Sequence, residues 1–423
     1  MATLTATEFC CLLKSPTRLK GVIESYLLSL ALPAPKHSLQ FASEVSGLNK
    51  SQFSRLLQGN SELARTQLEQ LSKIVGQELA RRREPLIAGA PWTVALIVDA
   101  TLHGRSSLHV QNAQRFNHGE GFVIGHQWTN LVLVVNDQVI PLPPIAFLTK
   151  KECRRLGKKY KTEHEHIVTR LKEINLSQWL GEHDSSEVVV LMDAGYDNKE
   201  IQRTILDCGW DFICALKKQR SVQTLDSHER EGIRFKKVCE LFRRVRRYAP
   251  WETVRIKSAA SKKKQKQRKL RVRRLEGNLK GILRPMVLLC SEKSRGKGHM
   301  YLACSNQKIS TRQIVIGYTI RWRIEMFHRD VKNNLGMLDA GVVHFESQRS
   351  HVHWVYCAYL LLNRSKVDVA DLPGRSVVHR QRKLGENWEK EKYRKIIQLS
   401  TRFDGAAQVK RHCQEVISDE KAA

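Results

Sequence analysis

The sequence predicts an α/β fold, and three observations carry that reading. Thr93–Val98 (TVALIV) and Val188–Met192 (VVVLM) are unbroken apolar runs, each followed directly by an aspartate. Stretches of helical periodicity lie between and around them, at residues 160–180, 311–335 and 351–362. Strands that are apolar on both faces belong in the middle of a sheet covered by helices.

The first ninety residues are helical in pattern. Within them Leu39–Gln58 (LQFASEVSGLNKSQFSRLLQ) has apolar residues at helical spacing on both sides of Gly47-Leu48-Asn49-Lys50. A short helix, a glycine turn and a second helix from about Ser51 give a helix-turn-helix outline. In a DNA-reading version the second helix would offer Lys50, Ser51, Gln52, Ser54 and Arg55 to the major groove. An ordinary helical hairpin fits the same pattern. Arg81-Arg82-Arg83 and Pro85 mark the boundary after it. Strand-like runs follow at Phe122–Ile124, Leu131–Val135 and Gln138–Leu142, with Asn136-Asp137 as the turn between the last two. Residues 210–310 interrupt the α/β pattern with short β-like pieces and dense charge. Thr311–Leu335 then reads as one long helix, His351–Leu362 as another, and the last forty residues as a basic, partly helical tail.

The chain of 423 residues has 72 Lys+Arg against 42 Asp+Glu, a net charge of +30. Hydrophobic residues make up 41%, enough for an ordinary core, so the charge does not mark a disordered chain. A surplus of this size on a foldable chain points to a polyanionic partner, nucleic acid ahead of an anionic membrane. Between Arg255 and Arg284 stand thirteen Lys or Arg and one acid, Glu276. The run KKKQKQRKLRVRR within it has the composition of a solvated loop. The ten cysteines include no Cys-x-x-Cys pair, which argues against a zinc ribbon and for free thiols in a reducing compartment. No leader pattern is visible, and no apolar run reaches the ~18 residues that span a bilayer. The expectation is a cytosolic chain.

Asp99 and Asp193 each terminate an apolar run. A carboxylate beside a hydrophobic sheet is costly unless it is paired or binds a cation. A lone strand-end aspartate is more often a cap, but two without a sequence-adjacent Lys or Arg make a divalent-metal site attractive, and such hard oxygen donors suit Mg²⁺ or Mn²⁺. A third acid comes from YTIRWRIEMFHRDVKNNLG, beginning at Tyr318. On one helix Tyr318, Arg321, Glu325 and Lys332 would share a sector roughly 60° wide, with Arg329 beside it. A salt-bridged exposed face produces the same stripe. A phosphodiester site also needs it, with an acid for the metal shell and cations and a hydroxyl for phosphates.

The order Asp99…Asp193…Glu325, with Tyr-x2-Arg-x3-Glu-x6-Lys around the glutamate, closely resembles the DDE transposases of bacterial insertion sequences. More narrowly it resembles their cut-and-paste branch, the insertion-sequence type 4 family. MDAGYDN around Asp193 resembles the family's second-aspartate motif, and VDATLHG matches the first. The long step from Asp193 to Glu325 resembles the β-rich insertion that this branch carries there. The resemblance implies an RNase H-like mixed-sheet core with a helical DNA-binding region before it, divided as residues 1–88 (helical, DNA-binding), 89–208 and 309–365 (core), 209–308 (β-rich basic insertion) and 366–423 (basic helical tail).

It further implies a DNA transposase that cleaves element ends and joins them to target DNA, using two Mg²⁺ ions, replaceable by Mn²⁺, held by Asp99, Asp193 and Glu325. Tyr318, Arg321 and Lys332 would contact phosphates near the element end. The implied partners are double-stranded DNA, as terminal inverted repeats and as target, and further copies of the chain in a dimer or higher multimer, with no membrane. A flipped base stacked on an insertion tryptophan is typical of the branch, with Trp210 and Trp251 both in range. Rival readings are another RNase H-like, structure-selective nuclease and a non-catalytic DNA-binding regulator. His164/His166 and His351/His353 stand two apart and face away from each other on a helix, so neither pair reads as a metal site. Asp197 is set behind Asp193 because it does not follow the strand directly.

Overall fold

A computed structural model describes residues 10, 13, 16–105, 109–224, 235–245, 249–257, 267–282, 284–292, 298–364 and 376–400. Four helices come first: α1 (Lys20–Ala31), α2 (Leu39–Ser46), α3 (Lys50–Leu57) and α4 (Ser61–Ala80). Strands β1 (Val94–Gly104), β2 (Gln114–His118), β3 (Gly121–Val135), β4 (Gln138–Pro141) and β5 (Ile145–Ala146) follow, then helices α5 (Lys150–Arg155), α6 (Glu163–Glu173) and α7 (Ser177–Leu180). Next are β6 (Val188–Met192), α8 (Lys199–Asp207), β7 (Asp211–Leu216), β8 (Ser221–Thr224), β9 (Lys236–Lys237) and α9 (Val238–Arg244). Strands β10 (Glu252–Lys257), β11 (Gln267–Leu279), β12 (Met286–Glu292) and β13 (His299–Cys304) lead to helices α10 (Thr311–Ile320), α11 (Trp322–Asn333), α12 (Phe345–Arg364) and α13 (Val377–Ser400).

The chain divides into two compact units. The first gathers Met1–Leu71, His109–Gln111 and Arg329–Ala423. Here the helix-turn-helix outline is present as α2, a turn through Gly47 at φ 72°, and α3. Ser38 caps α2 by accepting from the Phe41 N–H, and Asn49 with Gln52 forms a capping box on α3. Lys50, Ser51 and Arg55 are exposed on α3, and the Arg55 guanidinium donates back to the Ser51 hydroxyl at 3.2 Å. Helix α12 is buried nearly all round. His351 on it takes Tyr26 Oη at 2.7 Å on one ring nitrogen and the Gly336 carbonyl at 2.9 Å on the other.

The second unit, Ser72–Leu108 with Asn112–His328, holds one 13-stranded mixed sheet. Its order is β2-β3-β1-β6-β7-β13-β12-β11-β8-β9, with β4 and β5 on β3 and β10 on β11. The centre is β1, antiparallel to β3 on one side and parallel to β6 on the other; β6 and β7 are also parallel. This antiparallel-then-parallel order is consistent with an RNase H-like core. From β7 onward every pairing is antiparallel, so the strands between β7 and α10 extend the same sheet.

Two sequence readings change in detail, and the turn between β3 and β4 stands as read. Phe122–Ile124 and Leu131–Val135 belong to one 15-residue strand, β3, because β1 pairs along it from Val135 to Gly125. Asn136 and Asp137, both at positive φ (49° and 65°), make the tight turn into β4. The charge run is not wholly a loop. Its first part lies outside the described residues, but Gln267–Leu279 is strand β11, with Val272 and Leu275 buried while Lys269, Arg271 and Glu276 are exposed. Charge density had masked a strand. At the start of β7 the buried Asp211 accepts from Trp92 Nε1 (2.9 Å), Ser305 Oγ (2.9 Å) and Asn306 Nδ2 (2.8 Å), tying the approach to β1 to the exit from β13. Among the described residues every cysteine is a free thiol, and no helix is long and apolar enough to cross a membrane.

His353, two residues from His351, buries its Nδ1 without a hydrogen-bond partner among the described residues. Burial, aided by Arg349 and Arg65, pulls its pKa down to about 3 from the ordinary 6.5. The unfolded chain therefore takes up this proton first, so stability conferred by neutral His353 is present above pH ~6.5 and is lost as pH falls toward 3. A His353→Leu variant should lose less thermal stability than wild type between pH 6.5 and pH 4, followed by circular dichroism. Parallel melting curves for the two proteins over that range would contradict this account.

Candidate active site

The parallel register of β1 and β6 creates the site. Val94 pairs with Val188 and Val98 with Met192, and the next residue on each strand is an aspartate, Asp99 and Asp193. Neighbouring strands lie about 4.8 Å apart, so the two carboxylates leave the sheet side by side. They sit at the C-terminal edge of the parallel strands, where open α/β sheets bind ligands. Asp99 does not end its strand: β1 continues to Gly104 because β3 pairs with it throughout, Asp99 opposite Asn130. Only the parallel partner stops. Asp193 caps a 3-10 turn, Ala194–Tyr196, its Oδ1 accepting from the Gly195 N–H at 2.7 Å.

The third acid arrives on a helix that is broken, not continuous. Helix α10 ends at Ile320 and α11 begins at Trp322, with the Arg321 N–H bonding the Tyr318 carbonyl and the Ile324 N–H bonding the Arg321 carbonyl, both i to i−3 at 3.2 Å. Such a tightened turn inside a helix shifts the faces on either side of it. Nothing in the residue types announces it. Helix α10 lies close over the sheet at Gly317, where a Cβ would meet Ile213 at 3.0 Å and Ile87 at 3.1 Å.

At the break Arg321 turns its guanidinium into the pocket. It is hydrogen-bonded to Glu325 and stands 3.8 Å from Asp99 Oδ2, with the Tyr318 ring 5.9 Å from its centre. Burial, then Asp193, and also Glu325 raise the Asp99 pKa to about 7, with Arg321 pulling the other way. Asp99, Asp193 and Glu325 thus feel one another as like charges. Burial works against the Arg321 charge, but Tyr318, Glu325 and Asp99 outweigh it and hold the guanidinium above its ordinary value. Burial pushes the Tyr318 phenol up to about 12, so it stays a donor at neutral pH.

Several neighbours escaped the sequence reading. His328, 10% exposed, stands with Nδ1 4.0 Å from Asp99 Oδ2 and Nε2 3.0 Å from the Asn130 amide. Its only signal was the Glu325-x-x-His328 spacing, one helical turn. The Glu163 carboxylate accepts from Tyr196 Oη at 2.9 Å and Thr129 Oγ1 at 2.8 Å, and the Tyr196 phenol is raised by burial, Glu163, Asp99 and Asp193. Asp197 is committed elsewhere, to Arg220 (3.3 Å), Gln202 (3.2 Å) and the Lys217 N–H (3.1 Å). His164 bonds the Gly195 carbonyl at 3.2 Å and Asn198 at 3.3 Å. Lys332 and the exposed Arg329 lie on the far part of α11, and Lys50, Ser51 and Arg55 on α3, all within the other compact unit. Of the two tryptophans, Trp210 is buried, whereas Trp251 stacks on His299 (6.0 Å) with Arg273 and Arg271 over its ring at 4.2 and 5.1 Å. It lines a cavity of about 300 Å³.

Chemically the pocket offers three hard carboxylates whose mutual repulsion one guanidinium only partly offsets, which is the donor set a divalent cation satisfies. Among the described residues no three acid, histidine or cysteine side chains already converge on one point as ligands. Arg321 stands between Asp99 and Glu325 instead.

A mixed sheet of this order, with acids at the edge of its parallel strands, is consistent with an RNase H-like core. The model of the family described as the transposase DDE domain matches residues 93–361, well over half the chain, and the chain belongs to that family. No curated protein matches it.

Because Arg321 lowers the Asp99 pKa, Arg321→Ala should move that pKa up, by on the order of one unit. The carboxyl ¹³C shift of Asp99, titrated without divalent ions, reads this directly. An unmoved titration would mean that Arg321 does not compensate the pocket.

Proposed function

We propose that this transposase cleaves the ends of a mobile DNA element and joins them to target DNA, and that it belongs to the branch marked by Tyr318, Arg321, Glu325 and Lys332. The observation that carries the reading is the register that sets Asp99 beside Asp193, with Glu325 brought to the same pocket. We assign those three as ligands of two Mg²⁺ ions, with Mn²⁺ as a substitute. Bound there, the ions supply a polarised nucleophile and stabilise the departing oxygen of an in-line displacement.

The chain's own residues do the rest. With cations held by Asp99 and Glu325, the Arg321 guanidinium would be free of them and could pair its two N–H groups with two oxygens of a phosphate. The protonated Tyr318 phenol donates to the same backbone, and Lys332, with Arg329 beside it, adds point charges further along α11. Helix α3, through Lys50, Ser51 and Arg55, is assigned to duplex recognition. Trp251, which lines a cavity beside His299, Arg271 and Arg273, is assigned over the buried Trp210 to stack a flipped base, which would displace one of those neighbours from its ring. The working form is a dimer or higher multimer on terminal inverted repeats, in the cytoplasm at the nucleoid, and the domain division given by the sequence describes its parts: helical reader, core, basic insertion and tail.

Asp99→Asn, Asp193→Asn and Glu325→Gln should each abolish Mg²⁺-dependent nicking of an element end, by a factor above about 10³, while gel-shift affinity for that end stays within a few-fold. Nicking that persists in all three variants would sink the assignment. Lys332→Ala should leave the acids intact and lower the salt dependence of end binding by about one counterion. A structure-selective nuclease on the same acids would cut branched DNA of unrelated sequence equally well, and that substrate separates the two.

A further inference from the structure

A second polar feature lies away from the carboxylates. An open groove of about 640 Å³ runs between β10 and the start of α10, lined by Thr253 and Arg255 from β10, Arg274 from β11, and Ser310 and Arg312 at the helix start. Three arginines from three elements face it, against one acid, Glu252. Arg274 is already used: it donates to the Ile309 carbonyl at 2.6 Å and the Gln307 carbonyl at 2.9 Å, and so holds the approach to α10 in place. Arg255 and Arg312 are exposed and reach no acid within ion-pair distance among the described residues.

The helix adds to this. Ser310 and Gln313 form a capping box, and the first intrahelical bond runs from the Ile314 N–H to the Ser310 carbonyl at 3.0 Å. The Thr311 and Arg312 N–H groups therefore point outward without intrahelical partners, at the positive end of the helix dipole. Two uncommitted guanidiniums beside two free N–H groups make a receptor for a phosphate oxyanion.

We propose that this groove binds a backbone phosphate of the DNA on which the carboxylate pocket acts, roughly two or three base steps from the cleaved linkage. The distance comes from the helix itself. Helix α10 starts in the groove at Thr311 and delivers Arg321 to the carboxylates, ten residues at 1.5 Å each, or about 15 Å. A DNA strand rises about 3.4 Å per base step along the duplex axis but also winds around that axis. A span of about 15 Å between its phosphates therefore covers roughly two to three steps, fewer than the rise alone allows. The helix acts as a spacer between two phosphate grips. The assignment rests on the transposase reading above and refines where the substrate runs.

The test uses the full chain in divalent-free buffer and duplexes carrying a single uncharged methylphosphonate linkage, walked along the element end or along a target duplex. For wild type, neutral linkages two to three steps from the cleaved position should weaken binding about tenfold. A double variant, Arg255→Ala with Arg312→Ala, should bind unmodified DNA about tenfold more weakly, be indifferent to those linkages, and show a salt slope lower by about two counterions. Arg312→Lys should restore part of the slope, and each single alanine variant should lower it by about one, which keeps the test usable if the double variant is unstable. Sensitivity on the element-end duplex assigns the groove to that DNA, and sensitivity on the target duplex alone assigns it to target capture. A methylphosphonate map unchanged between wild type and the double variant overturns the proposal. A wild-type map of this kind with no cleavage by wild type when Mg²⁺ is added refutes the transposase reading and leaves the groove standing.

Discussion

The parallel pairing of β1 with β6 is the constraint on which the rest of the site depends. It places two aspartates at matching positions one strand spacing apart, at an edge where the hydrophobic run of each strand has just ended. Burial first, and then the like charge of Asp193, oppose ionisation of Asp99 and hold its carboxyl at about 7. A fold that keeps such a pair must either neutralise it by protonation or bring positive charge to it. Arg321 brings one such charge, 3.8 Å from Asp99 and hydrogen-bonded to Glu325.

Arg321 sits where the helical hydrogen bonding tightens as it passes the pocket, its own backbone still in the right-handed helical region. An uninterrupted helix through Tyr318 and Glu325 would carry a regular stripe, but the two i to i−3 bonds around Arg321 tighten the turn. The close approach at Gly317 anchors α10 on the sheet before the break, leaving the break to decide how Arg321 and Glu325 are presented. Hydrogen bonds spent on the 3-10 geometry are weaker than α-helical ones. The irregularity is therefore tolerated where it serves the carboxylates, and the rest of both helices is regular.

Much of this was legible in the residues. TVALIV and VVVLM announced buried strands and therefore the two aspartates beyond them; Asn136-Asp137 announced a hairpin; Gly47 announced the turn between two short helices. Each rests on local chemistry, which a sequence carries openly. What was not legible depends on partners distant in the chain. Asp99 looked terminal because its apolar run stops, but β3 prolongs the strand through pairing that only the fold supplies. The break at Arg321 has no proline or glycine to mark it. His328 and Asn130 meet across a sheet and a helix far apart in sequence, and β11 was hidden because its lysines and arginines outnumber its few apolar residues, of which Val272 and Leu275 are buried on opposite faces.

The charge distribution now has a physical reading. A net charge of +30 on a chain that also gathers Asp99, Asp193 and Glu325 presents a conflict if both act on one polyanion. Basic groups attract a phosphate backbone, while bare acids repel the phosphate that comes closest to them. Both effects are screened over about 10 Å, so each group acts mainly on the phosphates nearest to it. On the proposed reading the two tasks are therefore divided in space: Arg255 and Arg312 would hold the backbone away from the acids, and the acids would accept a phosphodiester only with added positive charge. Arg321, between Asp99 and Glu325, is the cation the chain itself sets beside them.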